Sequence, residues 1–336
     1  MLADTGIVVI ARNEGQRLLR CLESVRGLAA AVVYADSASS DGSPACARAA
    51  GVEVVELDPA RPLNAARGRN AGWRRLLELQ PGLEYVFFLD GDCLLVAGFL
   101  EQAHTTLERE PTLGAVCGRR RELRPTGSLY NRVVDLEWNT PIGESAAFGG
   151  DVLVRARALA ELGGYDEVMN AGEDPELSFR LRQRGWGIRR IAHDMTLHDV
   201  DLLRFGAWWK RHARGGYAYA HGAARHWREP GRYNLRACLS ILAWGLGLPA
   251  GALLAAPFTG GLSLAFLSGY LALWLRVRAY RRKLGDEPAQ AALYALFVSL
   301  GKFAEALGVV RYLAARGRGR EALLLEYKDY QRRSAA

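Results

Sequence analysis

The feature that most constrains this chain is a run of 39 residues, 237–275, without Asp, Glu, Lys, Arg or His. One membrane-spanning helix needs about 20 apolar residues, so this run has the length of two. Pro257, Gly260 and Gly261 lie near its middle and favour a break in the helix there. We therefore predict a helical hairpin over residues 237–276, either transmembrane or re-entrant. A buried hairpin of a soluble helical domain is the alternative.

Basic residues flank the apolar run on both sides. Eight Lys and Arg residues fall within 204–236, and five more follow the run: Arg276, Arg278, Arg281, Arg282 and Lys283. Lys and Arg concentrate on the cytoplasmic side of membrane segments. We therefore expect a basic amphipathic juxtamembrane segment at 204–236. We also expect a cell-membrane protein whose preceding domain, residues 1–203, lies on the cytoplasmic side.

A third apolar stretch, residues 289–316, is interrupted by Lys302, Glu305 and Arg311. This pattern is more typical of an amphipathic helix at the membrane surface than of a spanning helix. We predict such an interfacial helix with a basic tail over 289–336, with membrane lipids as its partners.

The formal net charge of +8 is the sum of two parts of the chain with opposite charge. Residues 1–200 contain 23 Lys and Arg against 28 Asp and Glu, a net of −5, whereas residues 201–336 contain 21 against 8, a net of +13. Half of the residues are hydrophobic, which excludes a mostly disordered chain. The positive charge flanks an apolar run instead of forming a groove with stacking aromatics, so we expect no nucleic-acid partner.

The first hundred residues alternate short apolar runs with helical patterns. The predicted strands are 6–11, 31–35, 52–57 and 85–89, and helical spacing lies between them at 15–27, 43–50 and 66–79. Such alternation predicts an α/β fold with parallel strands and helices on both faces of the sheet. Ligands of such sheets bind beyond the carboxyl ends of the strands, so polar residues that follow each strand are candidates for a site.

Four polar motifs occupy such positions: Ala11-Arg12-Asn13-Glu14, Asp36-Ser37-Ala38-Ser39-Ser40-Asp41-Gly42-Ser43, Arg67-Gly68-Arg69-Asn70-Ala71-Gly72 and Asp90-Gly91-Asp92. Two carboxylates one residue apart on a glycine turn can bind Mg²⁺ or Mn²⁺, which prefer oxygen ligands. Each motif also has a plainer interpretation. The last could be only a turn, the first two could cap helices, and Arg67 and Arg69 could be solvated helix charges.

The joint pattern is more specific than its parts. The order A-R-N-E, D-S-x-S-x-D-G-S, A-R-G-R-N-x-G and D-G-D resembles the nucleotide-sugar domain of family-2 inverting glycosyltransferases, which have the glycosyltransferase-A fold. Further along, Phe148-Gly149-Gly150-Asp151 and Gly172-Glu173-Asp174-Pro175 resemble the acceptor-side glycine segment and the Glu-Asp motif of that family. The resemblance covers about residues 5–200 and implies a Rossmann-like mixed sheet followed by a helical, membrane-associated region.

The resemblance implies a donor-nucleotide site for UDP or GDP made by Ala11, Glu14, Asp36, Arg69, Asn70 and Asp90. Asp92 would bind Mg²⁺ or Mn²⁺ directly, with Asp90 contacting the ribose or the metal shell. His198, or else His193, would complete the metal site, with a structural histidine as the alternative. Gly149 and Gly150 would allow close approach of the sugar or the acceptor.

The resemblance also implies a general base, Asp174 or Glu173, that deprotonates the acceptor hydroxyl. The alternative for Asp174-Pro175 is a helix N-cap followed by proline in the first turn. The Q-x-x-R-W motif of processive synthases is not kept in residues 208–217, which favours a single transfer. Arg211 and Arg214 in that stretch would bind the donor diphosphate or an acceptor phosphate, or would only supply interfacial charge.

These observations predict a membrane-attached, metal-dependent inverting glycosyltransferase with a lipid-linked or membrane-proximal acceptor. Two alternatives stay open at this point. One is a sugar nucleotidylyltransferase, although the residues after the first strand lack its glycine-rich loop. The other is a non-catalytic membrane scaffold built on a transferase-like domain.

Overall fold

The computed structural model describes residues 1–319 and divides into two compact units. The N-terminal unit contains Met1–Pro125 and Trp138–Asp201, and the C-terminal unit contains Thr126–Glu137 and the described residues from Leu202 onward. The predicted N-terminal domain, residues 1–203, also includes residues 126–137, which lie in the C-terminal unit. Residues 320–336 of the predicted segment 289–336 lie outside the described residues.

The strands described within residues 1–319 all belong to the N-terminal unit. In chain order they are β1 (Leu2–Ala11), β2 (Ala29–Asp36), β3 (Glu53–Glu56), β4 (Tyr85–Asp90), β5 (Cys93–Leu95), β6 (Leu113–Glu122), β7 (Gly143–Glu144), β8 (Val152–Arg155) and β9 (Gly187–His198). The helices up to residue 201 are α1 (Gln16–Ser24), α2 (Ser43–Ala49), α3 (Ala65–Leu79), α4 (Phe99–Arg109), α5 (Leu129–Glu137), α6 (Ala156–Glu161) and α7 (Glu173–Gln183). Of these, α5 packs with the C-terminal helices.

The nine strands described within residues 1–319 form one mixed sheet in the order β3-β2-β1-β4-β8-β6-β9-β5, and β7 pairs with β9. Strands β3, β2, β1 and β4 are parallel, as the alternation of strands and helices predicted. Strand β8 then pairs antiparallel with both β4 and β6. The predicted mixed α/β fold is therefore confirmed.

The core of the N-terminal unit lies around β1 and β4. Ile7, Val8 and Val9 of β1 and residues 85–89 of β4 have no exposed surface. Residues 7–11 of β1 and 85–89 of β4 are continuous apolar runs, as expected for strands that are buried on both faces of a parallel sheet. These buried strands set the positions of the residues that directly follow them.

The C-terminal unit is helical. Besides α5 it contains α8 (Phe205–Arg225), α9 (Leu235–Leu242), α10 (Leu248–Ala255), α11 (Gly269–Lys283) and α12 (Pro288–Gly317). A π-helical turn at Ala243–Gly247 joins α9 to α10, and 3₁₀ turns at Ala256–Phe258 and Leu262–Ser268 precede α11.

The apolar run forms the helical hairpin that the sequence predicts. Ser263 Oγ donates a hydrogen bond to the carbonyl oxygen of Ala252 at 2.7 Å, and the Tyr270 hydroxyl donates one to the carbonyl oxygen of Trp244. These bonds join the two arms side by side. The hairpin leaves large apolar side chains exposed, among them Leu254 at 73% and Phe258 at 90%.

Helices α8 and α12 pack closely within the C-terminal unit. A Cβ atom on Gly216 would lie only 1.9 Å from the carbonyl oxygen of Glu305, so only glycine permits this approach. Next to this contact, Lys302 forms an ion pair with Glu305 at 2.8 Å, and His212 lies 3.8 Å from the Glu305 carboxylate. Two of the charges that interrupt the third apolar stretch, Lys302 and Glu305, therefore contact each other, and Glu305 also contacts α8.

By length and composition, three helical segments among residues 1–319 are able to cross a membrane: Leu235–Ala255, Leu262–Lys283 and Pro288–Gly317. The first two are the arms of the hairpin, and the third is α12. The interfacial position of α12 and the cytoplasmic side of the N-terminal unit stay predictions.

Candidate active site

The sheet register aligns three of the predicted motifs at one edge. Ala11 of β1 pairs with Asp36 of β2, and Ile10 pairs with Asp90 of β4. The carboxyl ends of these parallel strands therefore place the two carboxylates beside the end of β1. This is the edge at which open α/β sheets bind ligands.

Asp36 is fully buried at the base of the loops that follow β1 and β2. Its carboxylate accepts hydrogen bonds from the Tyr34 hydroxyl and from the Ser39 backbone N–H at 2.8 Å. Burial and the hydrogen bond with Asp36 raise the pKa of Tyr34 far above its ordinary value, so the phenol stays protonated. The Ser39 hydroxyl in turn accepts the backbone N–H of Asn13 at 2.8 Å.

The capping interpretation holds for Asp41 of the second motif, whose Oδ1 accepts the backbone N–H of Ser43, the first residue of α2, at 3.0 Å. It does not hold for Asn13 of the first motif. Helix α1 begins after Gly15 and α2 after Gly42, and neither N-cap residue supplies a side-chain hydrogen bond. Asn13 Oδ1 instead accepts the Ser40 backbone N–H at 2.7 Å, which joins the two loops. Glu14 is buried and forms an ion pair with Arg17 at 2.7 Å.

Arg67 and Arg69 are buried on α3, so their interpretation as solvated helix charges is wrong. Arg67 Nη1 donates to the backbone carbonyl oxygens of the preceding loop, those of Asp58, Arg61 and Pro62. It therefore fixes the loop that leads into α3. The N-cap of this helix is Asn64, whose side chain accepts the Arg67 backbone N–H.

Asn70 lies one residue beyond Arg69 and contacts a different segment. Its Nδ2 donates to the Tyr165 carbonyl oxygen at 2.8 Å, and its Oδ1 accepts the Tyr165 backbone N–H at 2.9 Å. Nδ2 also donates to Glu167 at 3.0 Å. Asn70 thus attaches the segment before α7 to α3.

Arg69 is the central cation of the site. Nη2 lies 2.9 Å from Asp90, and Nη1 lies 2.7 Å from Glu173 and 3.5 Å from Asp174. The guanidinium also stacks over the Tyr165 ring at 5.4 Å. One buried cation therefore joins the carboxylate after β4 to both carboxylates of the Glu-Asp motif.

The second carboxylate oxygen of Asp90 accepts a hydrogen bond from Arg120 Nη2 at 3.1 Å. Burial alone would raise the pKa of Asp90, but Arg69 and Arg120 outweigh it and hold this pKa below its ordinary value. Asp90 therefore stays ionised near neutral pH. Both carboxylate oxygens of Asp90 contact guanidinium groups. Of Asp90 and Asp92, Asp92 is therefore the better-placed metal ligand.

Asp92 and His198 lie together at this edge, with the Asp92 Oδ1 atom 3.3 Å from His198 Nε2. The Cys93 sulfur is close enough to share a metal ion with them. However, burial and the nearby carboxylates raise the pKa of Cys93 well above its ordinary value, which keeps the thiol protonated. Carboxylate oxygen and imidazole nitrogen suit Mn²⁺, so this pair fits a divalent cation.

The structure separates the two candidate histidines. His198 packs its ring against Trp138 at 5.1 Å and points Nε2 toward Asp92. The His193 ring contacts Phe99, and its Nδ1 lies 2.6 Å from the backbone oxygen of Asp194. His198 is therefore the histidine beside the acidic turn.

The Glu-Asp motif opens α7, whose N-cap is Gly172 in a left-handed conformation (φ 79°). The N-cap interpretation of Asp174 is therefore wrong, since this residue lies inside the first helical turn. Burial, followed by repulsion from Glu173, raises the pKa of Asp174 to about 8 against the opposing charge of Arg69. Its Oδ1 is buried and accepts no hydrogen bond within the described part of the chain.

Gly149 and Gly150 differ in the space available for a side chain. A Cβ atom on Gly150 would lie 2.4 Å from an Asp90 oxygen and 2.9 Å from both Arg69 and Arg120. Gly150 therefore permits the arginine–carboxylate cluster itself. Gly149 has no such close neighbour among residues 1–319.

Arg211 and Arg214 both lie on α8 of the C-terminal unit. Arg211 forms a two-pronged ion pair with Glu137 of α5, with distances of 2.8 and 3.1 Å. This contact anchors α5 to α8 within the unit.

Sequence reasoning assigned no role to Arg120 or Asp151. Asp151 is fully buried and lies 2.8 Å from Arg120 through its Oδ2 atom. A signal was present, since three consecutive arginines (119–121) within an apolar strand are unusual and require buried partners. Asp151 itself followed the glycine segment that the resemblance used.

Residues 6–146 match the family described as Glycosyl transferase family 2. The chain carries a family 2 glycosyl transferase domain. Pre-mycofactocin glycosyltransferase of Mycobacterium tuberculosis is 27% identical over 236 residues, which cover 66% of this chain and 48% of that protein. The chain therefore spans about half the length of this relative. The succinoglycan biosynthesis protein ExoA of Rhizobium meliloti is 25% identical over 71% of this chain and 76% of that protein.

Two solved structures resemble this chain over most of its length. Mannosyltransferase PcManGT from Pyrobaculum calidifontis, in complex with GDP-Man and Mn²⁺, has a TM-score of 0.63 and 20% identity, covering 93% of this chain and 88% of that one. S. aureus TarS 1–349 in complex with UDP has a TM-score of 0.50 and 13% identity, covering 94% and 92%. The fold is thus the predicted glycosyltransferase-A fold.

Proposed function

We propose that this protein transfers a sugar from a nucleotide-diphosphate sugar to an acceptor hydroxyl or phosphate, with inversion at the anomeric carbon and with a divalent cation. The observation that carries the proposal is the shared edge of Asp92, His198 and Asp174, joined through Arg69 and Asp90. The family 2 domain gives this arrangement its reaction class.

Asp92 and His198 would hold Mg²⁺ or Mn²⁺ at this edge. The cation would neutralise negative charge on the diphosphate as it leaves. The chain itself supplies two further cations, Arg69 and Arg120, but both are paired with Asp90. The Mn²⁺ and GDP-Man bound by the Pyrobaculum protein support a cation of this kind.

Asp174 would be the general base, with Glu173 held by Arg69 beside it. A base of this kind must reach the attacking hydroxyl and be partly ionised near neutral pH. For a hydroxyl acceptor, the proton passes to the Asp174 carboxylate while its oxygen bonds to the anomeric carbon. The bond from that carbon to the diphosphate oxygen breaks on the opposite face. The Oδ1 atom of Asp174 lies 3.5 Å from Arg69 and accepts no hydrogen bond within residues 1–319, which supports this role.

Ala11, Glu14 and Asp36 would bind the nucleoside of UDP or GDP, since they surround the ends of β1 and β2. Arg69 and Asn70 would shape the donor pocket beneath the diphosphate. Gly149, Gly150, Arg211 and Arg214 would face the sugar or the acceptor, as the family resemblance implies.

The hairpin and α12 would hold the protein on the cytoplasmic face of the cell membrane, beside a lipid-linked or membrane-proximal acceptor. The charge-free length of the hairpin supports this, as does the exposure of its leucine and phenylalanine side chains. Residues 204–236 would then contact headgroups, and α12 would lie along the surface.

A donor screen tests the proposal with the full-length protein in detergent. UDP-, GDP- and dTDP-sugars are added with Mn²⁺ or Mg²⁺, and the melting temperature is recorded, since a ligand of the folded state raises it. Sugar transfer from the stabilising donor, with an inverted anomeric configuration by NMR, is the expected result. A nucleotidylyltransferase would instead consume added pyrophosphate and convert the nucleotide-diphosphate sugar to a nucleoside triphosphate and a sugar 1-phosphate. A scaffold would bind a donor without any transfer.

A further inference from the structure

We infer that Asp151, together with Arg120, is a positioning residue that sets the distance between Asp92 and His198 and thereby the affinity for the divalent cation. This inference rests on the proposed function, because it assigns the metal to that pair. It goes beyond the two proposed ligands, because Asp151 contacts the residues that precede them.

The carboxylate of Asp151 joins two segments that are far apart in sequence. Its Oδ1 accepts the backbone N–H of Asp90 at 3.1 Å, and its Oδ2 accepts the Thr196 hydroxyl at 2.5 Å. Arg120 Nη2 donates to the same Oδ2 at 2.8 Å. With three donors on its two oxygens and no exposed surface, this carboxylate is held in place by the protein.

Each anchored residue precedes a candidate ligand by two positions. Asp90 precedes Asp92 across a single glycine, and Thr196 precedes His198 on β9. Residues i and i+2 of a strand project to the same face, so Thr196 and His198 share one side of β9. Asp151 therefore holds the backbone of Asp90 and the side chain of Thr196, each just before a candidate ligand.

Arg120 adds a second restraint. A single nitrogen, Nη2, lies within hydrogen-bond distance of both Asp90 and Asp151, and the guanidinium stacks over Trp138 at 5.6 Å. The Trp138 ring also contacts the His198 ring. Arg120 thus connects the acidic turn to the residue that packs on the histidine ligand.

The energetic argument follows from burial. Removing the Asp151 charge weakens three hydrogen bonds at once and leaves Arg120 undercompensated in a buried site. Residues that orient metal ligands through hydrogen bonds typically change metal affinity 10- to 100-fold when they are substituted. Asp151→Asn keeps the shape of the side chain and is the appropriate change.

The test measures Mn²⁺ binding by the electron paramagnetic resonance of free Mn²⁺, with full-length protein, in the presence of UDP and separately of GDP. We expect D151N to weaken Mn²⁺ binding about 10- to 100-fold. Added Mn²⁺ should restore most of its sugar-transfer rate. A residue with a purely structural role would lower the melting temperature without this change in Mn²⁺ affinity.

Two further variants test the same inference if D151N does not fold. Thr196→Val removes one of the three hydrogen bonds with little change in shape, and Arg120→Lys keeps the charge but loses the planar guanidinium. Both should weaken Mn²⁺ binding in the same direction, by less than D151N. The matched control is Asp194→Asn, which breaks an exposed ion pair with Arg121 between the same two strands and should leave Mn²⁺ binding unchanged.

Unchanged Mn²⁺ affinity in folded D151N, T196V and R120K would overturn this inference alone, provided that the natural protein binds Mn²⁺ with a nucleotide. If the natural protein binds no Mn²⁺ with either nucleotide, the metal part of the proposed function fails as well. The two failures are therefore distinguishable in one set of titrations.

Discussion

Arg69 Nη1 lies 3.5 Å from Asp174 Oδ1, and the arginine is almost completely buried. The same guanidinium contacts Asp90 and Glu173, so three carboxylates depend on one cation. We expect Arg69→Gln to destabilise the fold by about 3–5 kcal/mol, because breaking a buried ion pair leaves uncompensated charge. Thermal and urea denaturation measure this loss. Arg75→Gln on the same helix, which breaks only surface pairs with Glu53 and Glu78, should change stability little.

The raised pKa of Asp174 predicts the pH dependence of transfer. Because a general base acts when ionised, kcat/KM for the donor sugar should rise with pH and level off near the pKa of about 8. Initial rates between pH 5.5 and 9.5 at saturating Mn²⁺ measure it. Asp174→Asn should abolish transfer while preserving donor binding. A profile that is flat above pH 5, or transfer that persists in D174N, would contradict the role of this base.

The same group predicts a pH-dependent difference in stability. The pKa of Asp174 in the folded protein, about 8, lies above its ordinary value, so the folded state holds the proton more tightly than the unfolded state does. The natural protein should therefore lose stability as the pH rises from about 4 toward 8. D174N carries no such proton, so its melting temperature relative to the natural protein should increase over this window. A constant difference between pH 5 and pH 8 would contradict the raised pKa.

The contact between Asp92 and His198 predicts which substitutions remove the metal. Asp92→Asn and His198→Ala should each weaken Mn²⁺ binding at least about 10-fold, since each removes or weakens a ligand. Titration of free Mn²⁺ measures this directly. His193→Ala is the control, because the His193 ring packs against Phe99 and its Nδ1 lies beside the Asp194 backbone oxygen, so this variant should retain Mn²⁺ affinity.

The exposed tip of the hairpin predicts membrane attachment. Leu254 and Phe258 are 73% and 90% exposed within an uncharged segment. Replacing both by Glu should reduce flotation of the full-length protein with phospholipid vesicles, because a charge in the bilayer core costs several kcal/mol. Leu79→Glu in the N-terminal unit is the control. Equal flotation of the double variant would show that this tip does not enter the bilayer.

Several parts of the site were predictable from sequence because they follow strands directly. Asp36 and Asp90 end β2 and β4, so the parallel register had to bring them to one edge. The burial of Arg69 was not predictable, since a helical arginine that faces water and one that faces carboxylates have the same local pattern. Its partners Glu173 and Asp174 lie about a hundred residues away.

The sequence by itself determined three features: the alternation of strands and helices in the N-terminal part, the four polar motifs, and the apolar hairpin with its two arms. These features depend on local hydrophobic periodicity and on where charged residues occur along the chain. Only the tertiary structure decided which carboxylates pair with Arg69 and Arg120, that Asp151 is a buried anchor, and that His198 lies beside Asp92. These contacts depend on which strands become neighbours, and β8 enters the sheet antiparallel between strands that precede it in the chain. Buried charges are then placed by long-range pairing, which local sequence does not encode.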